Sequence, residues 1–184
     1  MTAGGYVGGI LAEIPNNSAC NVLIESCFNT GTLTATNQTE DQHIGGIVGM
    51  GFDRILNCYH AGTLEAGSTT GRSYRGGILG YVAKGTGAAT LAHNYSVQSA
   101  SLSVGGHAED AALADDTTLM LASSMQEGSF VDTLNRYEKP VSLYQVTFAM
   151  DSKAENDGYP VIGKLKKIKN YNAAITAFSA LLSM

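Results

Sequence analysis

Gly45-Gly46-Ile47-Val48-Gly49 is the stretch on which the fold turns, because the chain repeats it. Copies stand at Gly8-Gly9-Ile10-Leu11-Ala12 upstream and Gly76-Gly77-Ile78-Leu79-Gly80 downstream, 37 and 31 residues away. A companion phrase follows each copy. It reads Ser26-Cys27-Phe28-Asn29-Thr30-Gly31-Thr32-Leu33, then Asn57-Cys58-Tyr59-His60-Ala61-Gly62-Thr63-Leu64, then His93-Asn94-Tyr95-Ser96 leading to Leu102. Spacings here are 31 and 36 residues. Such self-similarity marks a stacked-repeat architecture, in which each unit buries its apolar face only against its neighbours.

Within a repeat the apolar runs are short and bounded by glycine, which predicts strands rather than helices. Each Gly-Gly pair predicts a tight corner, since glycine accepts positive φ, and Gly31 and Gly62 predict a second. Corner-linked strands repeating in this way stack beside their equivalents about 4.8 Å apart, like residue on like. The expected fold is mainly β, a parallel β-helix or β-solenoid of about three coils over residues 1–106. The polar stretches Ala35–Gln42, Ala66–Tyr74 and Lys84–Thr90 are expected to be edge loops, where repeat proteins carry recognition.

Glycine usage then drops: nineteen of the 22 glycines precede residue 107, so the remainder obeys other rules. Residues 107–163 read as a small α+β cap. It opens with the alanine and acid stretch Ala108–Asp116. Ser124 and Glu127 have capping-box spacing, ahead of a short helix with Phe130, Val131 and Leu134 on its buried side. Val141–Met150 alternates like a strand, and Asp157-Gly158 predicts a turn. Residues 164–184 read as an amphipathic helix whose stripe is Ile168, Tyr171, Ile175, Phe178 and Leu182. That helix either caps the repeats or mediates self-association with another chain. The basic group Lys164, Lys166, Lys167 and Lys169 reads as a solvated helix face.

Charge and composition narrow the chemistry. A net charge of −5 argues against a nucleic-acid partner, which needs a basic face. No run approaches the length of a membrane span. The start of the chain has no signal pattern and enters repeat material directly, as expected of a piece of a larger protein. Three cysteines, Cys20, Cys27 and Cys58, are an odd number and argue against a disulfide framework. Cys27 and Cys58 share a repeat position with Asn94, which suits an interior row of small side chains better than a metal site.

Gly45–Gly51 lacks the Lys and Ser/Thr of a phosphate loop. His43, His60, His93 and His107 form no zinc signature; His60 matches Asn29 and Ser96 in the repeat, and His93 matches Ser26 and Asn57. The acid pairs Glu40-Asp41, Glu109-Asp110 and Asp115-Asp116 lack calcium-loop spacing and read as solvated loop charge. Acids in the repeats are scattered, whereas a glycosidase needs two that face each other. Tyr59, Tyr74, Tyr81 and Tyr95 are candidates to stack on sugar rings, with Tyr59 and Tyr95 assigned to packing by their shared position. No catalytic, cofactor or metal residue is expected.

The phrases resemble the GLUG-motif repeats of bacterial surface proteins. Gly46-Ile47-Val48-Gly49 and Gly77-Ile78-Leu79-Gly80 fit the Gly-Leu-any-Gly core with Ile for Leu, while Gly9-Ile10-Leu11-Ala12 departs at its last residue. Asn57-Cys58-Tyr59 and Asn29-Thr30-Gly31 match the companion segment. The tail fits as well, through Phe130-Val131-Asp132-Thr133-Leu134-Asn135 and Asp157-Gly158-Tyr159-Pro160-Val161, with Phe148 at an expected aromatic position. The similarity spans roughly residues 4–162. It implies an extracellular, non-enzymatic adhesion or binding module at a bacterial cell surface, with a host or matrix protein or a surface glycan as partner. Such repeats also lie beside the catalytic parts of immunoglobulin A metallopeptidases. The alternatives are a carbohydrate-active β-helix enzyme and a passive stalk.

Overall fold

A computed structural model of the chain describes residues 2–3, 5–14, 22–51, 53–83, 89–109, 111–137 and 144–167. The fold is mainly β, and two compact units divide at Met125 and Gln126. In the first unit every strand pairs in parallel with its counterpart in the neighbouring repeat. One row joins Thr2–Ala3, Leu33–Ala35 and Leu64–Ala66. A second joins Tyr6–Gly8, Gln42–Gly45 and Ser73–Gly76. A third joins Leu11–Glu13, Val48–Gly51 and Leu79–Val82. Leu23–Glu25, Arg54–Leu56 and Ala89–Val97 form the fourth. Phe28–Asn29 and Tyr59–His60 add a fifth, on the later half of Ala89–Val97.

Parallel pairing does not stop at residue 106. Val104 and His107 bridge to Leu79 and Val82, and Leu113–Met120 lies along Ala89–Val97. The alanine and acid stretch therefore supplies a fourth level to the sheet. Its Asp115 and Asp116 sit on an exposed edge strand, where charge discourages further strand pairing.

Like residues meet across the repeats. Ile24, Ile55 and Leu91 form one buried row, and Val48 and Leu79 another. Val7, Leu33, Ala35 and Ile44 make a second cluster. Each fully buried aliphatic side chain contributes about 1.5–3 kcal/mol. The bends share amides with the next repeat: Ile10 and Leu11 both donate to the Ile47 carbonyl, and Ile47 and Val48 both donate to that of Ile78.

The Gly-Gly corners work differently from the expectation. Among the described residues the only glycine at positive φ is Gly158. The pairs are required for close approach: a Cβ on Gly45 would strike the Val48 carbonyl and the Gly80 amide, and one on Gly46 would strike the His60 ring. The left-handed corner lies instead at Ser26, Asn57 and His93, with φ of 53°, 52° and 54° at the same repeat position. Asn57 Nδ2 there donates to Ser26 Oγ at 3.1 Å.

The second unit pairs Tyr144–Ala149 antiparallel with Val161–Lys167. The helix Gly128–Asn135 buries Phe130, Val131 and Leu134, and Phe148 of the hairpin is buried too. Asn135 clamps Phe148, donating to its carbonyl at 3.0 Å and accepting its amide at 2.8 Å. Asp157 and Gly158 turn the chain, both at positive φ, and the Asp151 carboxylate accepts the amides of Glu155, Asn156 and Gly158. The expected capping box does not form. Ser124 lies inside the short helix Ala122–Met125, and Glu127 is the N-cap of the next helix without a side-chain cap bond. Nor does a helix begin at residue 164: Lys164–Lys167 close a strand. The amphipathic stripe from Ile168 onward lies outside the described residues, as does Cys20.

Candidate functional site

Tyr6, His43 and Tyr74 each stand two residues before a Gly-Gly pair, so parallel register lines them up. Tyr6 and His43 stack with ring centroids 5.2 Å apart and planes within 5°. His43 lies 5.1 Å from Tyr74 and 4.7 Å from Tyr81, which reaches in from the adjoining row. Tyr74 and Tyr81 are tilted against each other at 4.8 Å. A Cβ on Gly106 would meet the Tyr74 ring, so backbone of the fourth level covers that end of the row. At the other end Tyr6 is 40% exposed. Rings within such a row spend their faces on each other.

His43 is buried, and its Nδ1 has no hydrogen-bond partner. Burial pushes its pKa below the usual imidazole value, against the opposing charge of Asp41. The ring is therefore neutral at pH 7, as a stacking partner between two tyrosines should be. Burial also raises the Tyr81 hydroxyl, with Tyr74 and Asp41 acting in the same direction.

Polar groups border the row. Arg72 Nη1 donates to the Tyr74 hydroxyl at 3.3 Å, and the Arg72 amide donates to Asp41 Oδ1 at 2.7 Å. That hydrogen bond and the Asp41 charge hold Arg72 more firmly protonated than usual. The segments 36–41 and 67–72, expected as projecting loops, stack on each other like the strands. Thr70 N donates to the Gln38 carbonyl at 3.0 Å and Thr69 Oγ1 to that of Glu40 at 2.8 Å. Asn37 Oδ1 accepts the amides of Thr39 and Glu40, which fixes the bend.

Where the row meets this loop there is a cleft of about 420 Å³, lined by Gly5, Tyr6, Glu40, Asp41 and His43. Its lining combines Tyr6 and His43 with two consecutive, exposed acidic residues of the loop. A second cleft of about 370 Å³ is lined by small and hydroxylated residues together with Leu64 and Leu102, with Arg75 as its charged group and no aromatic.

The remaining sequence candidates lie elsewhere. Tyr59 is buried and stacked on Phe28 at 5.2 Å, and it pairs with Tyr95, so this position packs the fold. Asn29, His60 and Ser96 pair in register, as their repeat positions imply. Cys27 and Cys58 lie in a polar row: the Cys27 amide donates to Cys58 Sγ, and the Cys58 amide to Asn94 Oδ1 at 2.9 Å. Burial raises the Cys58 thiol, keeping it protonated. Asp115 accepts a hydrogen bond from Ser103, and Asp116 lies 3.8 Å from His93 Nδ1. Asp110 falls outside the described residues. Among the described residues no group of three His, Cys, Asp or Glu is placed to hold a metal ion.

Sequence reasoning named Tyr74 and Tyr81 among its stacking candidates and missed their union with Tyr6 and His43. The signal was present: aligning the copies on Gly-Gly puts Tyr6, His43 and Tyr74 in one column. No protein-family model, curated protein or solved structure matches this chain.

Proposed function

We propose that the first unit is a β-solenoid of the GLUG-repeat type, and that the chain is a non-enzymatic binding module of a bacterial surface protein. The observation that carries this reading is the pairing of equivalent residues at a 31-residue offset, which brings rings and polar loops from successive repeats onto one ordered surface. A surface ordered before binding loses little conformational freedom on association. Its partner is a surface glycan or a host or matrix protein. The two acidic residues lining the cleft are consecutive in one loop, a placement unlike the facing pair that flanks a scissile glycosidic bond. No helix among the described residues is long and apolar enough to cross a membrane.

The test is an array of surface glycans and matrix proteins probed with the full chain, beside a turnover assay on the same glycans. Binding without product release is the expected result. Product release that disappears in Glu40→Gln would replace this reading with the carbohydrate-active enzyme, and binding to nothing on the array would favour the passive stalk.

A further inference from the structure

We propose that Cys27 and Cys58 are the two ends of a disulfide that pins one repeat to the next when the chain folds under oxidising conditions. The two residues hold the same repeat position, between the register pairs Glu25 with Leu56 and Phe28 with Tyr59. Paired strands lie about 4.7–4.9 Å apart. That spacing falls inside the Cα separation of about 4.4–6.8 Å that a disulfide spans. Both partners belong to described repeats, so the pairing holds whatever precedes or follows them.

The side chains share one orientation. Cys27 Sγ donates to the Glu25 carbonyl at 3.4 Å, and Cys58 Sγ to the Leu56 carbonyl at 3.3 Å, each two residues back in its own strand. Cys58 Sγ also reaches across to the Cys27 strand, 3.8 Å from the Ile24 carbonyl and 3.4 Å from the Cys27 amide. Cys27 packs against the buried cluster that holds Cys58.

The third member of the column shows what cysteine gives up there. Asn94 Oδ1 accepts the Cys58 amide at 2.9 Å, and its Nδ2 donates to the Ile55 carbonyl at 2.7 Å. Cys58 Sγ plays the same part toward the Cys27 amide at 3.4 Å, and sulfur is a weak acceptor. Two successive repeats thus carry the poorer hydrogen-bonding residue at one position. A covalent link between repeats is what two thiols offer and asparagine does not.

The oxidant is a small-molecule disulfide of the glutathione class. One thiolate of the pair attacks a sulfur of oxidised glutathione, whose S–S bond breaks as one glutathione thiolate leaves. The second thiolate attacks the protein sulfur of the mixed disulfide and expels the other glutathione. The protein loses two thiol protons and two electrons, and the oxidant becomes two glutathione thiols. In the folded chain burial keeps the Cys58 thiol protonated, with the neighbouring Cys27 adding to the effect, and a protonated thiol is a poor nucleophile. The bond therefore forms during folding, before the repeats close over Cys58.

In the experiment the full chain is refolded from urea at pH 8 with mixed reduced and oxidised glutathione, and in parallel with reductant alone, then alkylated. Cleavage after Glu25, Glu40, Arg54 and Glu65 leaves each cysteine on its own peptide. The expected main product joins peptides 26–40 and 55–65, with Cys20 alkylated. Its melting temperature should exceed that of the reduced chain by at least about 5 °C, because the bond closes a loop of 31 residues. Cys20→Ser should keep the crosslink and the gain, while Cys27→Ser and Cys58→Ser should each lose both. Alkylation of Cys27 and Cys58 after oxidative refolding, a main product that crosslinks Cys20, or a crosslinked chain that melts no higher than the reduced one overturns the proposal. Any of these would leave the binding-module reading in place.

Discussion

At His60 the imidazole is fully buried, with Nδ1 3.2 Å from both the Asn29 side-chain amide and the Asn29 carbonyl. Its Nε2 has no partner, so a second ring proton would point at nothing. Burial accordingly lowers the pKa from 6.5 to about 4, with the Asn29 backbone bond opposing the shift. The unfolded chain then binds the proton more readily than the folded one. Stability from this residue is fully present above pH 6.5 and is lost as pH falls toward 4, on the order of 3 kcal/mol in all. Urea midpoints of the native chain and His60→Asn, which installs the residue found at position 29, should show a flatter pH profile for the variant between pH 6.5 and 4. Parallel profiles would contradict the account. The same ring explains why position 46 is glycine, since a Cβ there would strike His60.

A three-residue strand has no stability of its own, so each element here depends on the row it joins. Arg54–Leu56 is flanked by strands on both sides, with Ile55 between Ile24 and Leu91. Leu23–Glu25 sits at the end of the same row. Ile55→Ala should therefore cost about 2–5 kcal/mol, because neighbours on two sides hold the cavity open. Ile24→Ala should cost less, because an end strand can settle into the gap. Urea unfolding with an unchanged slope would measure both, and equal losses would contradict the stacked-row picture. At the far edge Leu113–Met120 takes the opposite approach, with an exposed acid-bearing strand that terminates the pairing. Sequence periodicity passed over that strand because its register follows Ala89–Val97 with a shift between Ala92 and Asn94.

At the scale of the whole molecule, every strand pairing of the first unit among the described residues closes within residues 2–120. A chain of residues 1–125 should therefore keep its far-UV strand signal and unfold in one cooperative urea transition. A broad, non-cooperative transition would show that the first unit draws essential stability from elsewhere in the chain. Its described strand partners are about 23–37 residues apart, so loop closure precedes the reward of pairing and folding should be slow for its size.

The sequence by itself determined which residues are equivalent. Ser26 with Asn57 and His93, Asn29 with His60 and Ser96, and Tyr59 with Tyr95 could all be paired on paper, because copies of similar length align side by side. It also marked the Asp157-Gly158 turn and the buried side of the helix before it, which depend on local chemistry. Only the tertiary structure decided what the equivalences do. The repeat glycines answer to crowding, from a carbonyl three residues on in the same copy and from backbone of the next repeat, and the second of these is a distance no single copy contains. Tyr6, His43 and Tyr74 become one surface through register, and Glu40 and Asp41 join them through the path of a loop. Period specifies neighbours; register and the path of the loop bring residues of different repeats to one cleft.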